Sequence, residues 1–352
     1  MPTRHKLGLV GAALGLLSAG AGAAVAVQQR RAGTQRRGPD ARAGTPFGAL
    51  PADRIRRVGT DDGIELYVEE VGAPDAALVV VFVHGYTLAL GSWHYQRLAL
   101  TGPDRRLVYY DQRSHGRSDR APSDSCEIDQ LGRDLESVLE ATAGQRPVVL
   151  VGHSMGGMSI MALAEQRPER FGAQIRAVAL LSTTTGGLTG LDLGLPRALA
   201  PLKLVVLPVL ARGMRARPKL AELTRRTGSD LSWWLTKSYS FGDTEVSPSL
   251  VDYVGTLIAD TPVEVVADFF GTLMGHDRIR ALAALARVDT LVVCGEDDRL
   301  TPLAHSRAMT AELPDAELLV VPGAGHLAMM ERPEVVNPAL DELLDCALAD
   351  GR

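Results

Sequence analysis

The 352 residues, 46% of them apolar, suffice for one large domain with an insertion or for two modest domains, and exclude a small stapled module. A net charge of -5 gives no reason to expect a polyanionic partner, so nucleic acid is not anticipated. The three cysteines, Cys126, Cys294 and Cys346, are scattered and form no CxxC pair and no Cys/His spacing suited to zinc, which argues against a disulfide framework and a structural metal site.

The chain opens with an uncharged run, Leu7–Val27, long enough to cross a bilayer as a helix although rich in Gly and Ala. Arg4 and Lys6 precede it, and a larger positive cluster (Arg30, Arg31, Arg36, Arg37, Arg42) follows it. That bias predicts residues 1–28 as a membrane anchor that leaves the folded body in the cytoplasm. The same basic start, apolar stretch and small residues around Ala24 and Ala26 also fit a cleaved signal peptide, which would make the body a secreted one. Residues 29–53, rich in Arg, Gly, Ala and Pro, read as a flexible linker.

From Arg54 onward, alternating polarity over Ile64–Val71 predicts a half-exposed strand at an antiparallel edge. Short apolar runs of the kind buried on both faces follow at Leu78–Val83, Leu107–Tyr110, Val148–Val151, Ala177–Leu181, Leu291–Cys294 and Leu318–Val321. Helical stretches lie between most of them: Asp129–Ala141 has Leu131, Leu135, Val138 and Leu139 on one face, and Met158–Gln166 follows a strand run. This alternation predicts an α/β fold, a mostly parallel central sheet flanked by helices. Residues 187–275 contain no convincing strand run and read as an inserted helical cap, between core segments 54–186 and 276–352. Within it, Arg197–Arg226 carries eight Lys or Arg against the single acid Glu222, among many Leu and Val. Such a stretch serves either as a solvated basic face or as a surface for anionic bilayers.

In a mostly parallel sheet, ligands sit beyond the carboxyl ends of the strands, so the residues just after each run matter most. Val148–Val151 is followed by Gly152-His153-Ser154-Met155-Gly156-Gly157 and then a helical stretch. A sharp strand-to-helix turn crowds its neighbours, so flanking glycines relieve clashes while a central Ser hydroxyl is held out near the positive end of the helix. A hydroxyl nucleophile needs a base, and the base an orienting group. His326 follows Leu318–Val321 on a glycine loop, and Glu296, Asp297 and Asp298 follow Leu291–Cys294 on the neighbouring one. Ser, acid and His in that chain order is the pattern of nucleophile-elbow hydrolases. His153, His84 and His115 read as residues that hold turns, and His276-Asp277, adjacent in sequence, cannot easily form a linear relay.

From Arg54 to Leu348 the chain resembles the α/β-hydrolase fold family. The likeness is carried by His84-Gly85, by Asp111-Gln112-Arg113-Ser114-His115-Gly116-Arg117-Ser118, by the elbow, by Gly295–Pro302 and by Gly325-His326. The resemblance implies Ser154 as nucleophile, His326 as base and Asp298 rather than Asp297 as acid, with the backbone N–H groups of Tyr86 and Met155 as oxyanion hole. It implies no metal and no organic cofactor. Ser114 stands where relatives usually carry Gly.

The implied reaction is acyl transfer on a carboxylic or lipid ester through an acyl-enzyme. Cofactor-free peroxidase (perhydrolase) chemistry and carbon–carbon bond hydrolysis use the same triad, and a low-turnover ligand-binding receptor or a membrane-tethered interaction module is the alternative of another class. A Ser in the elbow argues against dehalogenase and epoxide hydrolase chemistry, which in this family relies on Asp. Trp233, Trp234, Phe241, Phe269 and Phe270 of the cap are either pocket walls for an apolar substrate group or the cap's own core.

Overall fold

The computed structural model describes residues 30–188, 230–242 and 245–349. Eight strands form one sheet: β1 (Arg54–Gly59), β2 (Glu65–Val71), β3 (Leu78–Val83), β4 (Arg105–Tyr110), β5 (Val148–His153), β6 (Ile175–Leu181), β7 (Asp289–Gly295) and β8 (Glu317–Val321). Their spatial order is β1-β2-β4-β3-β5-β6-β7-β8. β2 is antiparallel to both of its neighbours, and every pairing from β4 onward is parallel. Every residue of β3 and β5 is buried, as expected where helices cover both faces of a parallel sheet.

Side chains alternate along each strand, so the sheet has two separate cores. On one face Val80, Phe82, Val149 and Val151 pack with Trp93 and with Val336, Leu340 and Leu344. The first of these, Trp93, borders α1 (His94–Ala99), and the other three belong to the C-terminal helix Pro333–Ala349. On the other face Val79, Val81, Val83, Leu150 and Val178 meet Leu135, Val138 and Leu139 of α2 (Ile128–Thr142) and Ile160, Met161 and Leu163 of α3 (Met155–Gln166). The predicted apolar face of α2 is fully buried.

Two expectations change. β2 is not the edge, and it is not half-exposed: β1 lies outside it, and Leu66 to Glu70 are all buried. β1 reads RIRRVG, too basic for an apolar period, and its Arg56 helps to bury Glu70 of β2. Arg56 pairs with Glu70 at 2.6 Å, while Glu69 is met by Arg97 and by Arg117 at 2.7 Å. The flexible linker over 29–53 is also corrected, because its described part is packed. Residues 30–36 form helical turns in which Ala32 is fully buried, and Arg36 pairs with Asp252 at 2.9 Å. Asp40 accepts from the Ser249 amide at 3.0 Å and from the hydroxyls of Ser247 and Ser249. Phe47 stacks on Tyr253 with centroids 5.2 Å apart, and the Gly48 amide donates to His94 Nδ1 at 3.3 Å. Sparse apolar residues conceal this strap in the sequence, since its hold is largely polar and its partners lie from 46 to some 200 residues away.

Between β6 and β7 the described residues hold α4 (Asp230–Ser240), α5 (Pro248–Asp260) and α6 (Val263–Met274), and no strand. Among the described residues no helix is long and apolar enough to cross a membrane. The apolar run Leu7–Val27 and the basic stretch Arg197–Arg226 lie outside the described residues.

Candidate active site

β5 runs directly into α3 through Ser154, whose backbone sits at φ 52° and ψ -115°, a left-handed conformation that ordinary side chains avoid. Close packing dictates the glycines on either side. A Cβ on Gly156 would lie 2.1 Å from the Val83 carbonyl oxygen, and one on Gly152 would lie 2.7 Å from the Gly157 nitrogen. The turn is pinned by the Ser154 amide, which donates to Leu181 O at 2.9 Å, and by Thr183 Oγ1, which donates to Ser154 O at 2.7 Å. Ser154 thus stands half-exposed at the positive end of a 12-residue helix.

The loop after β7 separates the three candidate carboxylates. Glu296 and Asp297 are exposed, whereas Asp298 is 4% exposed and turned inward. Asp298 accepts from the amides of Leu300 and Thr301 at 2.8 and 2.9 Å, from Thr301 Oγ1 at 2.8 Å, and from His326 Nδ1 at 2.9 Å. Burial pushes this carboxyl up, but His326 and the Thr301 donors outweigh it and hold its pKa below the ordinary 3.8. Asp298 is therefore an anion at neutral pH. A carboxylate at Nδ1 keeps the imidazole proton on that nitrogen and leaves Nε2 as the basic one.

His153 links the serine turn to the histidine loop. Its Nε2–H donates to the His326 carbonyl at 3.0 Å, and the two rings meet edge-on with centroids 4.8 Å apart. Burial lowers its pKa to about 3, so the ring is neutral and serves as a spacer under the turn. Gly85 lies against the same turn: a Cβ there would be 3.3 Å from Ser154 Cβ and 2.6 Å from His153 Nδ1. The chain at Gly85 therefore passes beside Ser154, and Tyr86 packs against the apolar cluster that includes Met155, the first residue of α3. The Tyr86 hydroxyl donates to Val266 O of α6, tying this loop to the helices of the β6–β7 excursion.

The other histidines hold loops. His84 Nδ1–H donates to Gly85 O at 2.8 Å, and its Nε2 accepts from the Gln112 amide at 2.9 Å. His115 bonds Arg113 O at 2.9 Å and the Thr87 amide at 3.3 Å. His276 bonds Thr184 O at 3.1 Å. Ser114 adopts φ 65°, which explains the usual Gly there, and its hydroxyl accepts from the Ala121 amide at 3.0 Å. Asp61, Asp62 and Asp134 form a carboxylate cluster, but the fully buried Arg113 guanidinium pairs with Asp62 at 2.7 Å and with Asp134 at 2.6 Å.

Of the five cap aromatics, Trp233 and Phe241 belong to the main apolar core and Phe269 to a second cluster with Met155 and Met158, whereas Trp234 and Phe270 are half-buried. Sequence reasoning missed Thr183, Thr301 and Glu331. The last is 3% exposed, and its carboxylate accepts from the Gly325 amide, next to His326, at 2.7 Å. No local periodicity marks a single polar residue whose partner is a backbone amide.

A family model described as the alpha/beta hydrolase fold matches residues 79–333. The chain belongs to that family. The hydrolase is 29% identical over 291 residues, 80% of its chain and 97% of the relative, to a non-heme chloroperoxidase of Streptomyces lividans. It is 27% identical over 274 residues, 77% of its chain and 82% of the relative, to an sn-1-specific diacylglycerol lipase of Mus musculus. Among solved structures, a thermophilic esterase from Thermogutta terrifontis matches with TM-score 0.63 and 26% identity, over 84% of this hydrolase and 99% of the esterase.

Proposed function

We propose that this hydrolase cleaves carboxylic or lipid esters through an acyl-enzyme on Ser154. The observation that carries the reading is the buried His326–Asp298 pair at 2.9 Å, joined through His153 to a serine held at positive φ on a strand-to-helix turn. In this reading Ser154 Oγ attacks the ester carbonyl while His326 Nε2 takes its proton. Asp298 keeps the imidazole in the tautomer that accepts at Nε2 and steadies the imidazolium that forms. The Tyr86 and Met155 amides receive the oxyanion; the second opens α3, where the helix dipole adds to it. The imidazolium protonates the leaving alcohol, and water on the reverse path frees the acid. Of the cap segment 187–275, the described helices α4 and α6 supply half-buried Trp234 and Phe270 as walls for an apolar group. A relative named as a diacylglycerol lipase supports a lipid ester within this class.

A fluorophosphonate probe with peptide mapping tests the assignment: labelling should fall on Ser154 and vanish in Ser154→Ala. Labelling elsewhere, or none, refutes it. A panel of p-nitrophenyl esters of increasing acyl length then locates the substrate. A second reading, perhydrolysis of a carboxylic acid by hydrogen peroxide, is favoured by the relative named as a non-heme chloroperoxidase. It predicts peracid from acetate and peroxide, lost in the same Ser154 variant.

A further inference from the structure

Glu331 is a carboxylate 3% exposed, in the short helical turn Ala328–Glu331 that follows the His326 loop. Its two oxygens face two backbone amides from distant parts of the chain. Oε2 accepts from Gly325 N at 2.7 Å, and both oxygens accept from Gly242 N, at 3.1 and 3.2 Å. Gly242 directly follows Phe241, two residues beyond the end of α4. The two glycines approach so closely that a Cβ on Gly325 would lie 2.5 Å from Gly242 N, and one on Gly242 would lie 2.8 Å from Gly325 N. The seam continues on either side: the Leu327 amide donates to Ser240 O at 2.9 Å, and Arg299 Nη1, beside Asp298, donates to Ser238 O at 3.2 Å.

Two amides brought face to face would repel, because both present positive ends and neither can accept from the other. A carboxylate between them satisfies both at once, and hydrogen bonds to an ionised acceptor are the shorter and stronger kind. Gly325 is the residue before His326, so its peptide plane sets where the imidazole begins. The chain on the other side of the histidine is held by His153, through its bond to the His326 carbonyl.

We propose that Glu331 is a positioning residue: its carboxylate fixes the His326 loop against the chain that follows α4, and so sets the reach of the imidazole toward Ser154. This rests on the hydrolase reading of Ser154, His326 and Asp298. Misplacing a catalytic group by about 1 Å costs on the order of 100-fold in rate, which sets the scale of the effect.

The test compares the full-length protein with Glu331→Gln and Glu331→Ala on a short p-nitrophenyl ester, with kcat taken per serine titrated by fluorophosphonate so that misfolded molecules are not counted. Glu331→Ala should lose about 100-fold in kcat with KM changed less than about threefold. Glu331→Gln, which keeps one acceptor oxygen for two amides, should lose only about 10-fold. A purely structural role would lower the titrated fraction and leave kcat per site unchanged. Should Glu331→Ala fail to fold, Glu331→Gln decides: kcat within twofold of the parent overturns the proposal. The downfield proton resonance of His326 Nδ1–H against Asp298 supplies an arm independent of turnover. It should shift and broaden in Glu331→Gln, and an unmoved resonance overturns the proposal even for a protein whose parent shows no esterase activity. A parent that is not labelled at Ser154 overturns the hydrolase reading instead.

Discussion

Replacing Asp298 with Asn separates its electrostatic role from its shape. Oδ1 accepts from the Leu300 and Thr301 amides at 2.8 and 2.9 Å, neither of which can turn away, so the single amide oxygen of Asn must take that side. The NH2 group then occupies the place of Oδ2, facing Thr301 Oγ1 and His326 Nδ1, which stand 2.8 and 2.9 Å from that atom. The threonine hydroxyl can rotate to accept. The imidazole accepts only by moving its proton to Nε2, which removes the base that Ser154 requires. With geometry kept and the tautomer reversed, kcat should fall about 10³- to 10⁴-fold, roughly 4 to 5.5 kcal/mol in barrier, with KM little changed. Asp297→Asn, at an exposed side chain, should remain within about twofold. Steady-state kinetics on a p-nitrophenyl ester, with circular dichroism to confirm folding, makes the comparison. Equal losses at the two positions, or a larger loss at Asp297, would refute the tautomer argument.

Ser154→Ala and Ser154→Gly should both abolish hydrolysis, but only the glycine variant relieves the positive φ. It should therefore melt higher than the alanine variant by the equivalent of about 1 kcal/mol, and equal melting points would count against strain at the turn. Gly156→Ala places a Cβ 2.1 Å from a backbone oxygen that cannot move without displacing β3, so it should destabilise by about 3 kcal/mol or more in urea unfolding. A soluble, active variant of ordinary stability would show that the elbow packs otherwise. Burial lowers His84 and His153 to about 3, and His115 and His276 to about 4, all below the 6.5 of a free imidazole. Their contribution is present above pH 6.5 and is lost as pH falls, because the unfolded chain takes up these protons first. Asp111, pushed up to about 6 by burial, works the other way and costs stability as pH rises from about 4 to about 6. Near pH 5 the unfolded chain binds about three more protons on balance, a slope of about 4 kcal/mol per pH unit. Circular dichroism should show acid unfolding complete by about pH 4, and a protein still folded at pH 3.5 contradicts it.

Much of the fold was legible because its signals are local. Apolar runs of four to six residues mark β3, β5 and β7 wherever they lie in space, since a strand covered on both faces must be apolar on both. The serine turn was legible for a related reason: a strand that enters a helix through a positive φ needs small neighbours, and Gly152 and Gly156 announce it. The choice among Glu296, Asp297 and Asp298 was not local. Three adjacent acids look alike until the β7 loop folds and turns one of them inward, so family resemblance was needed to single out Asp298. β1 and the strap over 30–50 escaped because polar contacts with distant residues hold much of them in place. Arg56 against Glu70 and Asp40 against Ser249 leave no apolar period to detect.

The sequence by itself determined the layered sheet, the strand-to-helix turn at Ser154 and the order of serine, acid and histidine, because each follows from the period or sterics of neighbouring residues. Tertiary structure alone decided that β1 rather than β2 forms the edge and that Glu331 holds the His326 loop against the chain after α4. Those outcomes rest on pairs such as Gly242 and Glu331, 89 residues apart, whose encounter no local pattern encodes.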